Sequence, residues 1–121
     1  MRIISGKYKG RRLIAPNTLP VRPTTDRAKE ALFNILENRY YLDNKNVLDL
    51  FSGTGNICYE FASRGCKNVL AVDNNYNCIN YIKETTENLG LNISTIKSDC
   101  LQYLKTCKQQ FNLIFADPPY N

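Results

Sequence analysis

Apolar and polar residues alternate along this chain in two rhythms. From Thr25 onward, Ala28, Ala31, Leu32, Ile35 and Leu36 recur at i, i+3, i+4, i+7 and i+8, which predicts a helix with one apolar face. Thr24, Thr25 or Asp26 is placed to cap it. Further on, short apolar runs take over. NVLDLF, NVLAVD, ISTIKSD and FNLIFAD predict four strands, each closing near an aspartate, separated by helical stretches that begin near Asn56, Asn75 and Cys100. Strand, helix, strand at this spacing predicts a parallel sheet with right-handed crossovers, so the fold class is α/β.

The front end follows neither rhythm. RIISGKYKGRRLIAP reads as two short strands, Arg2 to Ile4 and Arg11 to Ile14, around a Gly-containing basic turn: a small β-hairpin with a cationic tip. In the following NTLPVRPTT, Pro16, Pro20 and Pro23 forbid a continuous helix and favour an extended linker. The predicted division is a basic hairpin and linker over residues 1–24, then a sheet-bearing domain over 25–121.

Composition changes this picture in two ways. At 121 residues, 43% of them apolar and 22% charged, the chain has the size and make-up of one globular domain. No apolar run approaches the roughly 20 residues that cross a bilayer, and MRIISGKYKG lacks the apolar stretch of a signal peptide, so the expected location is cytoplasmic, with no membrane partner. The net charge of +5 is unevenly placed. Residues 1–29 hold eight of the sixteen basic residues against Asp26 alone, so the basicity belongs to the front. Arg2, Lys7, Lys9, Arg11, Arg12 and Arg22 are therefore candidate contacts to a phosphate-bearing partner, a solvated basic face being the plainer alternative. The five cysteines are widely spaced with no C-x-x-C pair, and there is no histidine. That predicts reduced, mostly buried thiols and no metal site, and it excludes His-based nucleophile triads. Chemistry is left to carboxylates, backbone and a cofactor.

Open parallel sheets bind ligands beyond the carboxyl ends of their strands. Asp49, Asp73, Asp99 and Asp117 are the strand-end acids, and all four are expected to line one rim. In LDLFSGTGN, Gly53 and Gly55 allow a tight turn and close approach of backbone to ligand, while the helix from Asn56 presents free N–H groups. Asp73, about 20 residues on, stands where an acid accepts from the ribose hydroxyls of an adenosine cofactor. Cys58 occupies the third glycine position of the dinucleotide fingerprint, which favours a smaller adenosine-containing ligand over NAD. Asp99 is placed to accept from an adenine amino group, and to cap the following helix as well or instead. In DPPY the prolines stiffen the loop and lack N–H donors, so Asp117 and the Pro118 carbonyl form a pair of acceptors suited to an exocyclic amino group. Tyr120 is then placed to stack on an extruded base.

DLFSGTG, the acid at Asp73 and DPPY together resemble class I methyltransferases that use S-adenosylmethionine, in the branch that methylates amino nitrogens of nucleic acid bases. RIISGKYKGRRL, VRPTTDRAKEALFNIL and LDLFSGTGN narrow the resemblance to the RsmD family, the 16S ribosomal RNA guanine-N2 methyltransferases of bacteria. The resemblance implies a Rossmann-like class I sheet and a cofactor loop shaped by Asp49, Gly53 and Gly55. It implies Asp73 on the ribose and Asp99 on the adenine, with Thr24, Thr25 and Arg27 closing over the site. Asp117, Pro118 and Tyr120 become the reaction loop, the basic hairpin a grip on 16S ribosomal RNA or the 30S particle. A class I sheet has further strands after the first four found here, so the resemblance also implies an incomplete domain, the remainder missing or supplied by a separate chain, and FNLIFAD exposed as an apolar edge. Tyr120 departs from the Phe common in the family and keeps adenine-N6 methylation of DNA or RNA as an alternative. A catalytically inactive, truncated RNA-binding fragment is another.

Overall fold

Residues 1–20 and 24–119 are described by a computed structural model. Strands β1 (Asn46–Leu50), β2 (Asn68–Asp73), β3 (Ile93–Lys97) and β4 (Leu113–Ala116) form a sheet in the order β3-β2-β1-β4, every adjacent pair parallel. Helix α1 (Asp26–Arg39) precedes the sheet, and α2 (Asn56–Ser63), α3 (Tyr76–Leu89) and α4 (Cys100–Thr106) connect successive strands. The α/β class and the first four strands of a Rossmann-like sheet are as expected.

Burial explains which runs became which strands. β1 and β2 are central and covered on both faces, so their sequences are nearly continuous apolar runs. β4 pairs only with β1 among the described residues; Leu113 and Phe115 are half-buried while Ile114 is 58% exposed. At the amino ends of the four strands a row of asparagines pins the register. Asn92 Nδ2 donates to Asn68 Oδ1 at 2.9 Å, Asn68 Nδ2 to Asn46 Oδ1 at 2.9 Å, and the Asn46 N–H to Asn112 Oδ1 at 2.8 Å. A one-residue slip of any strand would break this row and move every side chain of that strand to the other face of the sheet.

The larger core lies on one face of the sheet, where Val47, Val69 and Ala71 meet Ile57 and Phe61 of α2, Ile82 of α3, Phe33 of α1 and Ile3 of the N-terminal arm. On the other face Leu48, Leu50, Leu70 and Val72 lie beneath Cys100 of α4, with Tyr103 and Phe111 packed alongside. All five cysteines are free thiols, four of them buried and Cys107 half-buried. Burial pushes Cys66 and Cys78 up to about 11, so they stay protonated and act as small apolar side chains. Among the described residues no helix is long and apolar enough to cross a membrane, and no His, Cys, Asp or Glu cluster is suited to a metal ion.

Two expectations about the front of the chain need correction. Helix α1 is turned by about one residue: Lys29 and Phe33 are buried and Leu32 and Leu36 half-buried, whereas Ala28 and Ala31 are exposed and Ile35 is 56% exposed. The cause is Lys29, a cation that periodicity assigns to solvent but that finds its partners inside. The hairpin is likewise reduced to a single antiparallel bridge, Arg2 with Arg12, flanked by the Ile3 N–H donating to Arg11 O at 2.9 Å. Its turn is held by α2 instead. The Lys7 N–H donates to Ser63 O at 2.8 Å and the Tyr8 N–H to Ser63 Oγ at 3.0 Å. Gly6, at φ 88°, touches this helix end so closely that a Cβ would lie 2.0 Å from Ser63 O, which only glycine avoids.

Candidate active site

Beyond Leu50 the chain turns through three left-handed residues, Phe51 (φ 60°), Gly53 (φ 57°) and Gly55 (φ 84°), before entering α2. The glycines tolerate this; Phe51 does not, and such strain of order 1–3 kcal/mol collects where a loop must be shaped for a ligand. The loop is braced from below. Ser52 N–H donates to Val72 O at 3.1 Å, and the buried Tyr59 hydroxyl donates to Thr54 O at 2.7 Å. A Cβ on Gly55 would meet the Tyr59 ring at 2.8 Å.

Asp73 clasps this loop. Its Oδ2 accepts from the Gly53 N–H and its Oδ1 from the Asn75 N–H, both at 2.9 Å, which fixes the carboxylate and leaves a further lone pair on each oxygen. Gly55 is the N-cap of α2 and has no side chain to offer, so the first N–H groups of that helix have no side-chain cap. A fixed carboxylate beside an uncapped helix start matches an adenosine group joined to an anionic or carboxylate-bearing tail. The donor set fits S-adenosylmethionine.

The strand ends do not place all four acids on one rim. Leu50 is level with Val72 on one side and Ala116 on the other, so Asp73 and Asp117 each stand one residue above that level. They flank the loop from the two neighbours of β1, about 10 Å apart at normal strand spacing. Asp49 is one residue below the level of Leu50, 1% exposed, and faces α2 beneath the loop. Its side-chain partner there is the Cys58 thiol, which donates to Oδ2 at 3.0 Å. Burial above all, with Asp73 and Asp117 adding to it against the thiol's opposing effect, raises the Asp49 carboxyl to about 7. Cys58, standing where a dinucleotide fold has glycine, is therefore a donor to the acid under the loop.

The remaining predicted residues divide. Asp99 caps α4 at the end of β3, its Oδ1 accepting from the Gln102 N–H at 2.9 Å. Thr25 caps α1 through the Ala28 N–H at 3.1 Å, and Thr24 O accepts from Asn56 Nδ2 at 3.1 Å, bringing the α1 entry onto the start of α2. Arg27, Asp117 and Pro118 are exposed. Arg22 and Tyr120 lie outside the described residues. Arg2, Lys7, Lys9, Arg11 and Arg12 are all exposed on an arm that runs the length of α2, about 12 Å, from its Ser63 end toward its Asn56 end.

Sequence reasoning missed Lys29, Asn56 and Glu60. Lys29 Nζ, 3.3 Å from Glu60 Oε1, donates to Arg2 O and to Asn56 Oδ1, the latter at 2.7 Å. Glu60 accepts from the Ile4 N–H at 2.9 Å, the Ser5 N–H at 3.1 Å and Arg64 Nε at 2.8 Å. Lys29 and Glu60 belong to different helices, and the one signal of their meeting was a charge set within an otherwise apolar helical face.

The sheet order, the glycine turn above β1 and the acid closing β2 together define a class I methyltransferase fold. The chain superposes on the solved structure of a Thermus thermophilus hypothetical protein with a TM-score of 0.88 at 30% identity, over 99% of this chain and 70% of that one. On a Thermus thermophilus 16S rRNA N2 G1207 methyltransferase solved with AdoMet and guanosine the TM-score is 0.71 at 24% identity, a likeness of fold, over 85% of this chain and 28% of that one. Residues 1–121 match the family described as conserved hypothetical protein 95, the RsmD family, and the chain belongs to it. Its relative named ribosomal RNA small subunit methyltransferase D from Haemophilus influenzae is 34% identical over 126 residues, covering 100% of this chain and 64% of that protein. The chain thus spans somewhat under two thirds of that curated relative's length.

Proposed function

We propose that the protein transfers a methyl group from S-adenosylmethionine to the exocyclic N2 amine of a guanine in 16S ribosomal RNA, working in the cytoplasm on the RNA or the 30S particle. The observation that carries this reading is the clasp between Asp73 and Gly53 beside the uncapped start of α2, with Asp117 across the loop. When bound, the cofactor supplies an electrophilic methyl on a sulfonium. Asp73 holds the ribose with the lone pairs that its backbone bonds leave free. Asp49, Gly53 and Gly55 shape the loop, Asp99 meets the adenine, and Thr24, Thr25 and Arg27 close the site from the α1 entry. A guanine amine is a poor nucleophile because its lone pair is delocalised into the ring. Asp117 and the Pro118 carbonyl accept its two hydrogens, favour a pyramidal nitrogen and aim its lone pair, which is catalysis by position and electrostatics. Tyr120 stacks on the base, and Arg2, Lys7, Lys9, Arg11, Arg12 and Arg22 hold the phosphates. The units performing these tasks are the arm and linker of residues 1–24 and the sheet domain of 25–121.

The test is methyl transfer from tritiated S-adenosylmethionine to undermethylated 30S particles, followed by digestion to nucleosides. Label in N2-methylguanosine is expected; label in N6-methyladenosine would instead select the adenine reaction, and no label above background would refute the catalytic assignment for this chain. At the cofactor site, Asp73→Ala is expected to weaken binding of S-adenosylhomocysteine by about 1–3 kcal/mol through lost charged hydrogen bonds. An unchanged calorimetric affinity would place the ribose elsewhere.

A further inference from the structure

A buried polar node joins the arm, α1 and α2. Lys29 is 1% exposed and Glu60 0% exposed, and between them they bond groups of the arm and of both helices. Lys29 Nζ donates to Arg2 O on the arm and to Asn56 Oδ1 on the first turn of α2, and pairs with Glu60 Oε1 on its second. Glu60 in turn receives the Ile4 and Ser5 N–H groups of the arm, and Arg64, itself paired with Glu37 at 3.4 Å. Asn56 completes the link by donating to Thr24 O. Buried ion pairs add little net stability over apolar packing, so their value lies in holding groups in one arrangement. Here the groups held are the RNA-facing arm at one side and, at the other, Asn56, which directly follows Gly55 of the cofactor loop.

We propose that Lys29 is a positioning residue that couples the placement of the basic arm to the shape of the cofactor loop, so that RNA and cofactor each tighten the other's binding. The inference rests on the methyltransferase reading above. RNA drawn to Arg2, Arg11 and Arg12 settles the arm; the arm's Arg2 carbonyl and Ile4 and Ser5 N–H groups settle Lys29 and Glu60. Lys29 then holds Asn56, and with it the turn at Gly55. Linkage makes the effect reciprocal: cofactor seated on the loop must favour the same arrangement of the arm by the same factor. Lys29, Asn56 and Glu60 themselves need touch neither ligand.

The experiment measures affinity for a short mixed-sequence single-stranded RNA by fluorescence anisotropy, with and without saturating S-adenosylhomocysteine, in the unaltered chain and in Lys29→Met. The unaltered chain is expected to bind RNA about five-fold or more tightly with the cofactor product present. In Lys29→Met that ratio is expected to fall to one, while each ligand still binds alone. A node with a purely structural role would shift the melting temperature and leave the ratio unchanged, which would overturn the inference, as would a ratio of one in the unaltered chain. Should Lys29→Met fail to fold, Asn56→Ser removes the same link while keeping the Lys29–Glu60 pair, and an undiminished ratio there would be equally fatal. Absence of any S-adenosylhomocysteine binding to the unaltered chain, checked by calorimetry, would overturn the methyltransferase reading together with this inference.

Discussion

Glu60→Gln is expected to lower the unfolding free energy by about 3–5 kcal/mol, the range found when one partner of a buried, hydrogen-bonded ion pair is removed. The carboxylate accepts from four groups, the Ile4 and Ser5 N–H, Lys29 and Arg64, and no solvent reaches it. An amide in the same volume turns its NH2 toward one pair of these donors and leaves Lys29 without a counterion. Urea unfolding with an unchanged m-value reads the loss directly. The double variant Lys29→Met/Glu60→Leu is expected to recover only part of it, because an apolar pair removes the desolvation cost of the two charges but leaves the Ile4 and Ser5 N–H groups and Arg64 without that acceptor. A Glu60→Gln midpoint indistinguishable from that of the unaltered chain would show that water reaches the node after all.

Asp49→Asn has the opposite sign and a marked pH dependence. A carboxyl raised to about 7 in the folded chain, against an ordinary value of 3.8, binds its proton more tightly folded than unfolded. Its stabilising effect is complete below the unfolded value, is lost as pH rises from there through about 7, and stays lost above. Near pH 8 the ionised, buried acid therefore costs the fold up to about 4 kcal/mol, which Asn avoids while still accepting from the Cys58 thiol. Thermal melts are expected to show Asp49→Asn more stable at about pH 8 and nearly equal to the unaltered chain at about pH 4. A constant difference across that range would mean that Asp49 titrates normally. An acid that costs stability beneath a strained loop is one whose place is set by binding, so the same variant is expected to bind S-adenosylhomocysteine less well.

The sheet was legible because its information is local. Each apolar run of NVLDL and NVLAVD is bounded by its own turn residues, and Asn75 and Asp99 cap the helices that follow them. The glycine loop and the acid at Asp73 were legible for the same reason, as both rest on a strand-to-helix setting written within a few residues. The α1 face was misread because hydrophobic periodicity gives no inward vote to a lysine. Treating Asp49 as a rim residue failed because register between strands, which sets it two levels below Asp73 and Asp117, is a property of the pairing and of no single strand.

The succession of strands, the helix starts, the basic front and the identities of the loop residues were thus determined by the sequence by itself, through propensity, capping and side-chain period. Tertiary structure alone decided that the basic arm would lie along α2 instead of closing a free hairpin, and that Lys29, Asn56 and Glu60 would meet. The same holds for Cys58, whose thiol answers the acid under the loop. The physical reason is common to these cases: a buried polar group is tolerated only where partners from distant segments converge on it, and that convergence exists only once the chain has folded.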